Sequence, residues 1–175
     1  MEYPKFPSIT RLFEQNICIT EKIDGTNGVI YISEDLSEIK AGSRTRWLDT
    51  TSSGDNFGFA KFVEANRDEL LKLGPGIHYG EWWGNGIQRN YGMKEKVFSL
   101  FNTHRWGDDA VRPLCCDVVP VLYNGPLTWD VVHHYDNNIC RSEAANKYGI
   151  EFNNPEGMMW YFTKGGVYFK APFDK

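Results

Sequence analysis

The chain has 175 residues, 41% hydrophobic and 24% charged, with a formal net charge of -4. That length suits one domain with a sizeable core, and the composition speaks against a disordered, collagenous or membrane-spanning polypeptide. The acidic balance argues against a broadly basic nucleic-acid surface. Four cysteines without Cys-x-x-Cys spacing argue against zinc ligation or a disulfide framework and fit a reducing cytoplasm. Residues 1–5 begin no apolar signal-peptide core.

Apolar alternation predicts a first strand over Ile17–Lys22. Asp24-Gly25 is a turn pair, and a second strand over Gly28–Ser33 follows, so the two read as a hairpin. A third strand covers Ile39–Ser43. Phe59, Phe62, Val63, Asn66, Leu70 and Leu73 recur near i+3 and i+4 behind a cap at Asp55, predicting one helix that Gly74-Pro75-Gly76 stops. Further strands fall at Ile77–Trp82, Val97–Phe101 and Asp117–Leu122. An Asn124-Gly125-Pro126 turn then introduces a helix over Thr128–Tyr135, and another over Ser142–Tyr148 ends at Gly149. Strands at Met158–Phe162 and Val167–Lys170 close the chain. No repeat or linker interrupts this order. It predicts a single α+β domain of mainly antiparallel sheets with interspersed helices, spanning residues 1–175.

Six segments carry groups suited to chemistry. Glu21-Lys22-Ile23-Asp24-Gly25-Thr26-Asn27 delivers a lysine to a turn beside carboxylates. Such an amine is a nucleophile once it is unprotonated, which a neighbouring cation favours. Gly42-Ser43-Arg44-Thr45-Arg46 offers guanidinium forks for phosphate, Arg44 first and Arg46 as fallback. Glu81, in Tyr79-Gly80-Glu81-Trp82-Trp83-Gly84, can accept from two vicinal hydroxyls. Phe101, in Lys96-Val97-Phe98-Ser99-Leu100-Phe101-Asn102, offers a flat ring, with Phe98 as the alternative. Pro155-Glu156-Gly157-Met158-Met159 sets a carboxylate before apolar residues, and Val167-Tyr168-Phe169-Lys170 ends on a cation. Each pattern alone also has a plain structural reading, as an exposed ion pair, a turn or a core ring. The histidines lack spaced partners for a transition metal, and Cys115-Cys116 reads as core.

Taken in order, these segments resemble the covalent nucleotidyltransferases, the polynucleotide ligases and messenger RNA capping enzymes. Thr26-Asn27 after the lysine resembles the nick-sealing RNA ligase branch. The resemblance covers Glu21 to Lys170. It implies a nucleotide cleft between two sheets and an ATP-dependent RNA ligase in which Lys22 forms a covalent lysyl-AMP. AMP then passes to an RNA 5′-phosphate, and a 3′-hydroxyl attacks to seal the strand. It further implies that Lys22, Glu156 and Lys170 are catalytic, and that Glu21, Asn27, Arg44, Glu81, Phe101, Met158 and Lys170 contact the nucleotide. Glu156 would hold a divalent metal, magnesium or manganese, and Met158 would cover the base opposite Phe101. RNA, in particular a nicked duplex, is the implied partner, with an RNA-binding protein as a possible second.

Two positions depart from the family pattern: Asn102 stands where aspartate is usual, and Ala171-Pro172 replaces the end of a Lys-x-Lys. The alternatives are a DNA ligase, a GTP-using capping enzyme, or a catalytically silent nucleotide- or RNA-binding module. Only residues 171–175 follow Lys170, so no C-terminal OB or accessory domain is expected. The size and motif set suit a virus-encoded repair enzyme acting in the host cytoplasm.

Overall fold

Lys22 ends one sheet and the next residues begin another. The computed structural model describes residues 11–137 and 141–173; residues 1–5 and Cys140, read above, lie outside them. The strands follow as β1 (Asn16–Lys22), β2 (Thr26–Ile32), β3 (Ile39–Gly42), β4 (Gly76–Gly84), β5 (Lys96–Leu100), β6 (Asp117–Val118), β7 (Val121–Pro126), β8 (Gly157–Phe162) and β9 (Val167–Pro172). One four-stranded sheet has the order β7-β1-β8-β9 and is antiparallel. The other has five strands in the order β3-β2-β4-β5-β6, with only β5–β6 parallel. The α+β class expected from the sequence is the class observed.

Three local expectations change. β1 and β2 do not form a hairpin: each pairs with other strands, and residues 23–25 are a crossing between the sheets. The single strand expected over Asp117–Leu122 divides around Pro120, which has no N–H for a ladder, and β6 and β7 join different sheets. Asn124-Gly125-Pro126 is not a turn but the end of β7, paired with β1 from Cys18 to Asn16. Proline is tolerated there because β7 is an edge strand.

The five-stranded sheet buries one face under α1 (Phe59–Ala65). Ile30 and Ile32 alternate with outward residues along β2, and with Trp82, Phe98 and Leu100 they meet Phe59 and Val63. The Phe59 ring lies 5.1 Å from Phe98 and 5.6 Å from Trp82, and Phe62 lies 4.8 Å from Trp82. Burying each such ring contributes about 1.5–3 kcal/mol. The long helix expected over this stretch is broken. Asn66, at φ -110° and ψ 20°, separates α1 from α2 (Arg67–Leu70), and its amide donates back to the Phe62 carbonyl at 2.8 Å. The N-cap position is Gly58, at φ +86°, and Asp55 serves the helix start from three residues earlier, its carboxylate accepting from Ala60 N–H at 2.8 Å.

Short helices close the remaining gaps. Asn102 caps α3 (Thr103–Trp106), accepting from Arg105 N–H at 3.0 Å, which gives that residue a structural task. α4 (Trp129–Asn137) and α5 (Glu143–Asn146) follow, the latter capped by Ser142 and ended before Gly149 at φ +72°. No helix of the described residues is long and apolar enough to cross a membrane.

Candidate active site

The β1–β2 crossing brings Lys22 to the junction of the sheets. Gly25 makes the close approach: a Cβ there would stand 2.5 Å from the Trp82 carbonyl and 2.8 Å from the Trp83 Cβ. Without that Cβ, Gly25 N–H donates to Glu81 Oε1 at 3.0 Å, tying the crossing to β4. Lys22 Nζ forms an ion pair with Glu156 Oε1, both side chains about a quarter exposed or less. β8 sets this meeting, because its Gly157 is the direct partner of Lys22 in the ladder. A Cβ at Gly157 would collide with the Ala171 carbonyl at 2.4 Å, so β9 closes tightly over the same point.

Glu81 is nearly buried, at 9% exposure. Burial pushes its carboxyl up to about 7, against the Gly25 N–H and the Lys22 charge, and Glu156 and Asp24 add to the push. An unfolded glutamate releases its proton near 4.5. A raised folded-state value means that Glu81 favours folding at acid pH, and that this contribution is lost as pH rises through about 7. Glu81→Gln removes that loss while keeping an acceptor for Gly25. The variant should gain stability over the parent by about 2–3 kcal/mol between acid and mildly alkaline buffer. Chemical denaturation at a series of pH values checks this, and a difference that does not change with pH rejects it.

Strand parity decides which other expected residues face Lys22. In the five-stranded sheet, Asn27 pairs directly with Glu81 and Glu81 with Ser99, so their side chains share the face opposite the α1-covered core. Phe101 continues the parity of Ser99, its N–H donating to the Tyr79 carbonyl at 3.0 Å, and is 41% exposed. Phe98 lies on the other face, fully buried against Phe59, so it is not the open ring. In the four-stranded sheet, Lys170 pairs with Met159 and Met159 with Thr20, placing Lys170 on the Lys22 face. Arg44 lies exposed in the loop after β3, as does Arg46, whose guanidinium donates to the Ser53 carbonyl at 3.4 Å.

Two expected contacts are redirected. Glu21 shares its face with Ile17 and Ile19 and is 2% exposed. Its carboxylate accepts from Ser142 Oγ at 2.6 Å and from Ala144 N–H at 2.8 Å, at the start of α5. Burial pushes its carboxyl up, against those two hydrogen bonds. Glu21 therefore anchors β1 to α5 and does not join the Lys22 group. Met158 pairs with Glu21, is 2% exposed and packs with Ile17, Ile19 and Leu127. The side chain one position on, Met159, faces the Lys22 side instead. A one-residue step exchanges the two faces of a strand.

Sequence patterns also passed over Arg89 and Tyr91, which hold Asp24 of the turn pair. Arg89 Nε donates to Asp24 Oδ2 at 3.0 Å, and Asp24 N–H donates to Tyr91 Oη at 2.8 Å. The only sequence signal was the basic character of Arg89. Among the described residues, no three His, Cys, Asp or Glu side chains gather to cage a cation. Glu81 and Asp24 each have an oxygen engaged by protein, and Glu156 pairs with Lys22. Such a set suits a hard cation held chiefly by phosphate oxygens and water, with one or two carboxylates. A separate cavity of about 740 Å³, lined by residues 118–122, Arg141, Asn146 and Lys147, does not include Lys22.

At the join of the two sheets Lys22 pairs with Glu156, and Gly25 ties Glu81 of the other sheet to the same crossing. The sequence profile of the RNA ligase family matches residues 15–171, and the chain belongs to that family. Solved structures with the same fold include mutants of Naegleria gruberi RNA ligase. One with ATP and Mn has a TM-score of 0.66 at 19% identity, covering 90% of this chain and 50% of that one. One with AMP and Mn gives 0.67 at 19%, covering 91% and 50%. Another with ATP and Mn gives 0.67 at 20%, covering 98% and 57%. The chain thus spans about half the length of these proteins. No curated protein matches it in sequence.

Proposed function

We propose that this domain carries out the nucleotidyl-transfer chemistry of an ATP-dependent RNA ligase. The observation that carries the reading is the Lys22–Glu156 pair, set at the sheet junction with Glu81 on the facing strand. In the first step the Lys22 amine attacks the α-phosphorus of ATP. A P–N bond forms, the bond to the bridging oxygen breaks, and pyrophosphate leaves. The amine must lose a proton to become the nucleophile, and Glu156 is the group placed to take it. Lys170, on the same sheet face, meets the charge that grows on the α-phosphate. Glu81 accepts from the ribose hydroxyls and Phe101 stacks on the base. Met159, from the opposite sheet, covers the base in the place expected of Met158. Arg44 and Asn27 lie on the approach to the phosphates.

A divalent cation, magnesium or manganese, would be held by Glu156 with the phosphate oxygens, where it supplies charge neutralisation. In the later steps AMP passes to an RNA 5′-phosphate, and a 3′-hydroxyl attacks that phosphate and releases AMP. A nicked duplex suits this best, since base pairing aligns the two ends. The Naegleria structures with ATP or AMP and Mn support the nucleotide assignment.

Incubation with α-labelled ATP or GTP, followed by denaturing electrophoresis, tests the reading. Acid-labile label from ATP alone supports it; label from GTP alone indicates a capping-type enzyme, and no label a silent module. The ring assignment has its own test. Phe101→Ala should raise the KM for ATP about 10-fold, and Phe101→Trp much less, because the latter keeps a π-face. Phe98→Ala should instead destabilise the fold by about 3–5 kcal/mol. A raised KM in a well-folded Phe98→Ala, with Phe101→Ala unaffected, would reverse the assignment.

A further inference from the structure

Three segments distant in sequence meet at one arginine. Arg89 belongs to the loop between β4 and β5. Its Nε donates to Asp24 Oδ2 at 3.0 Å, and its Nη1 donates to the Asn154 carbonyl at 3.2 Å. Asp24 lies two residues after Lys22, and Asn154 two residues before Glu156. Tyr91, from the same loop, accepts from Asp24 N–H at 2.8 Å. Its ring is fully buried, 5.3 Å from Trp83 and 4.6 Å from Phe152. The Arg89–Asp24 pair is partly shielded, at 17% and 28% exposure.

The loop is longer than its connection requires. β4 and β5 are antiparallel neighbours whose ladder ends at Gly84 and Lys96, and two residues suffice to join such strands. It also holds left-handed backbone at three non-glycine residues: Gln88, Asn90 and Tyr91, at φ +43°, +63° and +54°. That conformation is costly for a residue with a Cβ and persists where surrounding contacts over-determine it. Here those contacts are the buried Tyr91 ring and the arginine fork.

We propose that Arg89 is a positioning residue, a clamp that fixes the Lys22 crossing against the Glu156 loop. This rests on the ligase reading for what the aligned pair accomplishes. Lys22 ends β1 and Glu156 immediately precedes β8, the ladder partner of β1, but the chain beyond Lys22 leaves for the second sheet and the chain leading to Glu156 is the 150–156 loop. Arg89 ties both, and it does so from the strand pair that carries Glu81. A guanidinium is suited to this because its donors diverge in a fixed plane, so one side chain reaches a carboxylate and a carbonyl together. A lysine ammonium in its place would reach one acceptor or the other.

Single-turnover kinetics of lysyl-AMP formation test the clamp. Arg89→Ala should lower the maximal rate about 100-fold, as expected for misplaced reacting groups. The KM for ATP should change little, because Glu81 and Phe101 are untouched. Arg89→Lys should recover part of the rate, and Asp24→Asn added to Arg89→Ala should cost little more than Arg89→Ala alone. Hydrogen exchange supplies a readout that needs no ATP: in Arg89→Ala, residues 22–27 and 152–157 should lose protection together while α1 keeps its own. A parent protein that forms no adduct, but whose Arg89→Ala variant shows this joint loss, keeps the clamp and loses the ligase reading. A labelling-competent parent whose Arg89→Ala variant reacts at the parental maximal rate, or loses rate only through KM, overturns the clamp and leaves the ligase reading standing.

Discussion

Lys22→Arg is expected to form no covalent adduct with ATP while keeping the thermal stability of the parent. The two halves of that result separate chemistry from structure. Lys22 is both the proposed nucleophile and the partner of Glu156. Lys22→Ala removes both roles, leaving a carboxylate at 21% exposure without its cation, so lost labelling in that variant has two explanations. Arginine restores a cation able to hold Glu156, yet its guanidinium is not deprotonated in proteins and cannot attack phosphorus. Labelling should therefore vanish in both variants, by several orders of magnitude. Only the alanine variant should melt measurably lower, by the few degrees that about 1 kcal/mol represents. The measurement is acid-labile label per mole of protein beside a melting curve. An adduct in Lys22→Arg at anything near the parental rate would place the nucleophile elsewhere.

What the sequence made legible follows from how local each determinant is. Ile17-Cys18-Ile19 and Gly28 to Ile32 announce strands through alternation alone, and strands are found there. Their sheet membership was hidden. Ile23-Asp24-Gly25 reads as a turn, but its course is set by Glu81, Arg89 and Tyr91, more than fifty residues away. Met158-Met159-Trp160 illustrates a different limit: where every residue in a strand is apolar, parity carries no signal. The side facing Lys22 is fixed only by pairing with β1 and β9. Glu21 was readable in principle, since Ile17, Ile19 and Glu21 share a parity that marks the buried face. Its place beside Lys22 in the motif points instead to the nucleotide. Phe98 and Phe101, three positions apart, fall on opposite faces, and which of the two is open depends on α1 covering the Phe98 side.

Glu156→Gln and Lys170→Ala should each slow adduct formation about 100-fold or more, the scale of losing one transition-state electrostatic contact, and they should do so for different reasons. Glutamine is nearly the shape of glutamate and keeps an oxygen that can accept from Lys22, so the geometry of the pair survives. What it cannot do is carry away the proton that the amine must lose. Lys170 is exposed on the edge strand β9 and shares its face with Lys22 through Met159, so its loss should leave stability nearly unchanged. Its absence removes positive charge from the α-phosphate without changing who takes the proton. The two defects therefore part company as pH is raised. Hydroxide in bulk solvent can substitute for a missing proton acceptor, so the rate of Glu156→Gln should climb steeply toward alkaline pH and narrow its gap to the parent. Lys170→Ala should keep a constant ratio to the parent over the same range, because no solvent species replaces a fixed cation at the phosphate. Single-turnover rates between mildly acidic and alkaline buffer make the comparison. If Glu156→Gln tracks the parent at constant ratio, Glu156 acts through its charge alone, and proton removal falls to another group.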